Sequence, residues 1–166
     1  MNSKRVALSS LFLAVALCIG VIENLVPPVL PMFPYVKIGF SNIVIIAAIL
    51  ILDWKYALII ACLKSVLVPL FVGNPVMIFY SLPSAAIAVL VSTLILYTGK
   101  VSIPVTSMIA AVIHNLSQLC VAAIMASYHV FAFTPYFVVI GILSGMVTGL
   151  ISYFVIKYMP EKFYKK

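Results

Sequence analysis

A run of polar residues interrupts an otherwise apolar stretch in the second half of the chain: His114, Asn115, Ser117 and Gln118. On an α-helix, His114, Ser117 and Gln118 share one face, because residues three and four positions apart are neighbours. Their imidazole, hydroxyl and amide groups can all form hydrogen bonds with a polar ligand. Asn115 lies about 100° away from that face and can reach a neighbouring helix. We interpret the run as a ligand-facing patch, with hydrogen bonding between helices as the alternative.

Lys64 is the only charged residue between positions 56 and 99, which puts it near the middle of a predicted membrane span. A lysine at the bilayer centre costs roughly 2.5–3.5 kcal/mol on insertion scales, so its ammonium needs an anion, carbonyl groups or water. One interpretation is a ligand-binding group; the alternative is a neutral amine or a structural ion pair with Glu23. The chain contains only three acidic residues, which favours the ligand-binding interpretation.

More polar residues flank a loop at 27–37 that contains four prolines and cannot form a regular helix. Glu23 and Asn24 precede this loop, and Lys37 and Asn42 lie at its far end. We expect them to line the mouth of an outward-facing pocket, although interface residues exposed to solvent would show the same pattern.

The expected pocket contains more basic than acidic groups, since Lys64, His114 and Lys37 face the single acid Glu23. This balance predicts a small anionic or amphipathic solute. The sequence has no ATP-binding glycine loop, no Ser-His-Asp set, no zinc motif and, with Asp53 as its only aspartate, no paired aspartates for magnesium. We therefore expect no catalytic residues, no metal and no cofactor, and a protein that is not an enzyme.

The composition predicts the scaffold that must position these groups. Of the 166 residues 66% are hydrophobic and only 8% are charged, whereas soluble domains carry about 25% charged residues. The net charge of +7 is not concentrated in a patch with interleaved aromatic residues, so a nucleic-acid partner is not expected. The chain is predicted to be one integral membrane domain over 1–166, surrounded by lipid.

The apolar runs predict an all-α, polytopic membrane protein with six transmembrane helices. Their expected ranges are about 5–26, 38–52, 55–72, 76–97, 102–127 and 136–158. The second is short, which predicts that it is shallow or begins within the proline-containing loop.

The basic residues predict the orientation in the cell membrane. If the N-terminus is cytoplasmic and the spans alternate, Lys37 is the only basic residue in an outer loop and Lys64 lies within the membrane. The others fall inside: Lys4, Arg5, Lys55, Lys100, Lys157, Lys162, Lys165 and Lys166. Both termini are therefore expected in the cytoplasm, with the loops 27–37 and 128–135 outside.

Small residues recur at helical spacing in two spans. The first span has one stripe of Ala7, Ser10, Ala14 and Cys18 and another of Ala16, Gly20 and Glu23. One stripe can pack inside the bundle and leave the other for a partner helix. In the sixth span, Gly141, Gly145 and Gly149 predict tight packing within the bundle.

Several of these motifs occur together in a known family. The segments are Glu23-Asn24, Pro27-Pro28, Pro31, Lys37-x-Gly39-x-x-Asn42 and His114-Asn115-x-x-Gln118. In order and spacing they resemble the Gx transporter family, which is also labelled heptaprenyl diphosphate synthase component I. The His114-Asn115-x-x-Gln118 motif is the most specific part of the match.

The resemblance implies a relative of the S components of energy-coupling factor (ECF) transporters. Those six-helix membrane proteins capture a vitamin or similar micronutrient and work with a transmembrane coupling subunit and two cytoplasmic ATPases. A small-residue face on their first helix contacts the coupling subunit, which here implies Ser10, Ala14 and Cys18. The alternatives are a non-catalytic membrane accessory in isoprenoid or quinone biosynthesis, and a stand-alone carrier or channel.

Overall fold

The computed structural model describes residues 3–25, 39–125 and 127–160. These residues form six α-helices, a 3₁₀ helix at Tyr128–Phe133 and no strand. The α-helices are α1 (Ser3–Leu25), α2 (Asn42–Ile51), α3 (Trp54–Phe71), α4 (Met77–Tyr97), α5 (Ile103–Met125) and α6 (Thr134–Tyr158). Each corresponds to one predicted span, so the predicted all-α architecture is confirmed.

The described helices differ in how far they can reach across a membrane. Five of them, all except α2, are long and apolar enough to span it. With ten residues, α2 is about 15 Å long, about half of the ~30 Å hydrocarbon core. The short second span is thus as expected. The predicted loop at 27–37, including Lys37, lies outside the described residues.

The short helix α2 lies at the centre of the bundle. All six residues from Val44 to Ile49 are buried, because α2 contacts α1, α3, α4 and α6. Around it, α1 packs on α3, α3 on α4, α4 on α5 and α5 on α6. A helix enclosed in this way needs apolar residues on every face, and the sequence of α2 supplies them.

The closest helix pair is α5 and α6, which meet along the glycines of α6. A Cβ atom on Gly145 would lie 2.5 Å from the Cα of Met108, and one on Gly149 would lie 2.6 Å from the Cα of Pro104. Only glycine allows the backbones to approach this closely. The predicted role of the glycines in packing within the bundle is confirmed.

The turn between α2 and α3 is tied to the end of α4. Asp53 precedes α3, and its Oδ1 accepts a hydrogen bond from the backbone N–H of Trp54 at 2.7 Å. The same oxygen accepts a second one from the Tyr97 hydroxyl at 3.0 Å. One carboxylate therefore caps α3 and joins the turn between α2 and α3 to the end of α4.

Candidate functional site

A polar cavity lies where α1 ends and α2 begins, between α3, α4 and α5. Its described lining is Gly20, Glu23, Asn24, Gly39, Ser41, Lys64, Ser65, Val68, Pro69, Met77, Ser81, His114 and Gln118. The cavity volume is about 60 Å³, enough for a few water molecules, each of which needs about 10–15 Å³ on this measure. Small-molecule sites usually measure about 300–1,000 Å³, so a solute would have to widen it.

Three buried side-chain atoms in the described part of the chain have no hydrogen-bond partner: Ser65 Oγ, His114 Nδ1 and Gln118 Oε1. All three residues line this one cavity. A buried polar atom without a partner costs about 1–3 kcal/mol. Because all three residues line the same cavity, a ligand or water that widens it would supply the missing hydrogen bonds.

His114 and Gln118 form the α5 wall of the cavity. Gln118 Nε2 lies 3.3 Å from His114 Nε2, the contact expected between residues four positions apart on a helix. The side chains are 7% and 5% exposed, respectively. The Ser84 backbone interacts with the imidazole, but not in a geometry that gives Nδ1 a hydrogen bond. This contact thus gives His114 Nε2 a hydrogen-bond partner and leaves the side-chain carbonyl oxygen of Gln118 without one.

Lys64 reaches the cavity from α3. Its Nζ donates a hydrogen bond to Ser41 Oγ at 2.7 Å. Lys64 also borders a smaller void of about 20 Å³, which Asn42 lines as well. The ammonium therefore stands between the two spaces, with a hydroxyl rather than a carboxylate as its hydrogen-bond partner.

Glu23 faces the cavity from the last turns of α1. Its Oε1 accepts a hydrogen bond from the backbone N–H of Gly39. Gly39 has a φ of +83°, a conformation that side-chain-bearing residues rarely adopt. A Cβ atom there would also lie 2.9 Å from Asn42 Nδ2. The glycine therefore lets the backbone present its N–H to the carboxylate.

The acidic and the basic group of the cavity hold the same short segment. Glu23 binds Gly39 and Lys64 binds Ser41, and these residues directly precede α2. A ligand that engages Glu23 or Lys64 would compete with this segment. Through these two contacts, a ligand in the cavity would change the position of residues 39–41, which precede α2.

The remaining predicted site residues lie in different places. Asn24 lines the cavity and donates to the Gly20 carbonyl at 2.7 Å. Asn42 lines the smaller void and is not in the described lining of the polar cavity. Asn115 is not part of the described lining; its amide donates to the Phe137 carbonyl at 3.1 Å and joins α5 to α6.

Three serines in the lining were not predicted from the sequence: Ser41, Ser65 and Ser81. Ser81 donates to the Ser65 carbonyl at 2.9 Å and to the Met77 carbonyl at 2.8 Å. Serines in apolar helices commonly bond to their own backbone, so they give little signal. One sequence feature points to Ser65, because it directly follows Lys64.

None of the described residues forms a group of three metal-binding side chains.

The two small-residue stripes of α1 have different environments. Ala16, Gly20 and Glu23 are buried, and a Cβ atom on Gly20 would lie 2.8 Å from Val68 Cγ2. Ser10, Ala14 and Cys18 are exposed. The first stripe thus packs on α3 and borders the cavity, while the second faces away from the bundle.

Comparison with curated proteins and with solved structures gives no match. The family model described as heptaprenyl diphosphate synthase component I matches residues 12–155. This range includes the polar cavity, the exposed stripe from Ala14 onward and almost all of the bundle. The chain therefore belongs to the heptaprenyl diphosphate synthase component I family.

Proposed function

We propose that this chain is the solute-binding membrane subunit, or S component, of an ECF-type importer. The observation that carries the proposal is that one cavity is lined by three residues with an unpartnered buried polar atom and also by Lys64 and Glu23. Such a cavity is suited to binding a solute through hydrogen bonds and charge. In this proposal the chain has no catalytic role, and the energy for transport comes from partner subunits.

The proposed solute is small and anionic or amphipathic, and it enters from the outer face of the cell membrane. Lys64 has only the Ser41 hydroxyl as its described hydrogen-bond partner, so two of its three N–H groups remain for an anion. Ser65 and Gln118 add further hydrogen-bonding atoms. An apolar part of the solute could contact Val68 and Met77, which line the same cavity.

Binding of a solute would require the cavity to widen from its present 60 Å³. The segment at 39–41 is the natural element to move, because only side-chain contacts from Glu23 and Lys64 attach it to α1 and α3 in the described hydrogen-bond network. A solute that forms its own bonds with these two groups offsets the loss of the contacts.

The proposed partners are a transmembrane coupling subunit and two cytoplasmic ATPases. The support is the exposed stripe of Ser10, Ala14 and Cys18 on α1, where another helix could approach closely. The other small-residue stripe of α1 contributes Gly20 and Glu23 to the lining of the cavity. The same helix would therefore contact both solute and partner.

A second candidate is a non-catalytic membrane accessory in isoprenoid or quinone biosynthesis, to which the name of the family points. Affinity purification of the full chain from its native membrane, with identification of the copurifying proteins, separates the two. An ATPase pair with a coupling subunit is the expected result. A prenyl diphosphate synthase subunit without ATPases would contradict the proposal and support the accessory role.

Native mass spectrometry of the same preparation tests the cavity directly. We expect a small molecule to be retained by the wild-type protein and to be retained less by Gln118→Leu. Lys100→Gln is the matched control, because Lys100 is exposed in the turn between α4 and α5. Equal retention by all three proteins would place the solute elsewhere and contradict the proposed site.

A further inference from the structure

A second concave region lies at the opposite end of α2 from the polar cavity. It is a groove of about 390 Å³, within the range of about 300–1,000 Å³ that is usual for small-molecule sites. Its lining comes from the start of α1, the end of α2 and the end of α6: Leu8, Leu11, Phe12, Ile51, Val155, Tyr158, Met159 and Pro160.

The groove exists because α2 is too short to fill the space between its neighbours. Both α1 and α6 pack beside α2 in the bundle, but α2 ends at Ile51, whereas α6 continues to Tyr158 and α1 begins at Ser3. Beyond Ile51 the two long helices therefore have no helix between them. The result is a trough with Ile51 at its floor, distinct from the convex outer faces of the other helices.

The lining is suited to hydrocarbon. Every described lining residue is apolar except Tyr158, which is 76% exposed and carries its hydroxyl at the end of an aromatic ring. Tyrosine is enriched where membrane hydrocarbon meets water. A lipid with its acyl chain in the groove would thus have its polar headgroup near Tyr158.

Basic residues lie next to the groove lining on both α1 and α6. Lys4 precedes Leu8 by one helical turn on the same face of α1. Arg5 directly follows Lys4 in the sequence. On α6, the ammonium of Lys157 lies 5.9 Å from the centre of the Tyr158 ring. All three basic residues are exposed, and neither 3–12 nor 155–160 contains an acidic residue.

We propose that this groove binds an anionic phospholipid of the surrounding membrane, with an acyl chain on the apolar lining and the phosphate between Lys4, Arg5 and Lys157. Charge complementarity selects this occupant over a neutral lipid. Clustered basic residues at a membrane surface attract anionic headgroups, and each lysine or arginine increases the affinity measurably. The sequence that continues from Pro160 adds three lysines against one glutamate.

The test uses the full chain in nanodiscs that contain equal amounts of phosphatidylglycerol and phosphatidylcholine with identical acyl chains. After release into native mass spectrometry, we expect the wild type to retain one phosphatidylglycerol in clear preference to phosphatidylcholine. In the variant Lys4→Gln/Arg5→Gln/Lys157→Gln, the preference should fall roughly fivefold for each cation removed. Lys100→Gln should keep the wild-type preference, because Lys100 lies at the same end of the bundle but not at the groove.

A groove-filling variant locates the acyl chain independently of charge. Leu11 is 60% exposed, so Leu11→Trp fills the trough without disturbing the core and should reduce retention of both lipids. Equal retention of the two lipids by the wild type would overturn the proposal. So would an unchanged preference in the triple variant, a loss of preference in Lys100→Gln, or unchanged retention in Leu11→Trp. A dimer that Leu11→Trp dissociates would assign the groove to a second copy of the chain instead.

Discussion

Lys64 is the residue whose environment most directly separates a binding role from a structural one. Its described hydrogen-bond partner is the neutral hydroxyl of Ser41, and Glu23 attracts it by charge alone, so replacing it does not remove one half of a hydrogen-bonded ion pair. Removing a partner from a buried ion pair usually costs about 3–5 kcal/mol. Loss of one hydrogen bond between a charged group and a hydroxyl costs about 1.5–3 kcal/mol.

We therefore expect Lys64→Met to keep its stability or gain some, because roughly 2.5–3.5 kcal/mol of insertion cost is relieved. Retention of the copurifying solute should fall. Thermal unfolding in detergent, combined with native mass spectrometry, measures both, with Lys100→Met as the control. A variant that unfolds several kcal/mol more easily and still retains the solute would show that Lys64 is structural.

Gln118 and Asn115 make a matched pair of amides on α5, because the former lines the cavity and the latter joins α6. Gln118→Leu should reduce solute retention about fivefold or more, since about 1 kcal/mol of hydrogen bonding is lost. Asn115→Leu should instead lower the free energy of unfolding by about 0.6–2 kcal/mol and leave retention unchanged. The same two measurements apply, and a reversed pattern would assign Asn115, rather than Gln118, to the solute.

At the scale of helices, the contact between α5 and α6 leaves no room for a side chain. A Cβ atom on Gly145 would lie 2.5 Å from the Met108 Cα and 2.8 Å from the Ser107 carbonyl oxygen. We expect Gly145→Ala to destabilise the protein by about 1–3 kcal/mol, as overpacking does. Chemical or thermal unfolding in detergent checks this. Gly20→Ala should cost less, because it meets only the Val68 side chain; an equal loss would contradict the backbone-contact explanation.

Substitutions in the exposed stripe of α1 should affect assembly with a partner rather than the stability of the chain. Ala14 and Cys18 are exposed, so Ala14→Leu/Cys18→Leu should leave the stability of the isolated chain and its solute retention unchanged. Assembly with a coupling subunit should be lost, because bulky side chains prevent close helix approach. Copurification measures assembly, and Val15→Leu, also exposed on α1, is the control. Normal assembly of the double variant would place the partner on another face.

For the molecule as a whole, orientation in the membrane remains a prediction from the basic residues. In a background with Cys18, Cys62 and Cys120 replaced by alanine, His129→Cys should react with an impermeant thiol reagent from outside. Lys100→Cys should react only after permeabilisation, because the lysine-rich end is expected in the cytoplasm. Both positions are exposed. Labelling in the reverse order would invert the topology.

Sequence patterns predicted the helices well, because long apolar runs and prolines set the limits of membrane spans. They also predicted that His114, Gln118, Lys64 and Glu23 lie together, since polar groups in apolar helices tend to share a cavity. The separate position of Asn115 depends on how far α5 is rotated against α6. The lining role of Ser41 arises from a turn that only the three-dimensional structure places beside Lys64.

The shortness of α2 also has an electrical consequence. Its first residues border the polar cavity and its last lie at the charged end of the bundle, about 15 Å away. In the predicted orientation, the inner side of the cavity would therefore lie near the middle of the insulating layer. A charge that reaches it from either side crosses about half of the membrane potential, or about 1 kcal/mol per elementary charge at 100 mV. A solute with one negative charge, entering from outside a cell that is negative within, would therefore bind several-fold more weakly to an energised membrane than to the same protein in detergent. A zwitterion would be almost indifferent to the voltage.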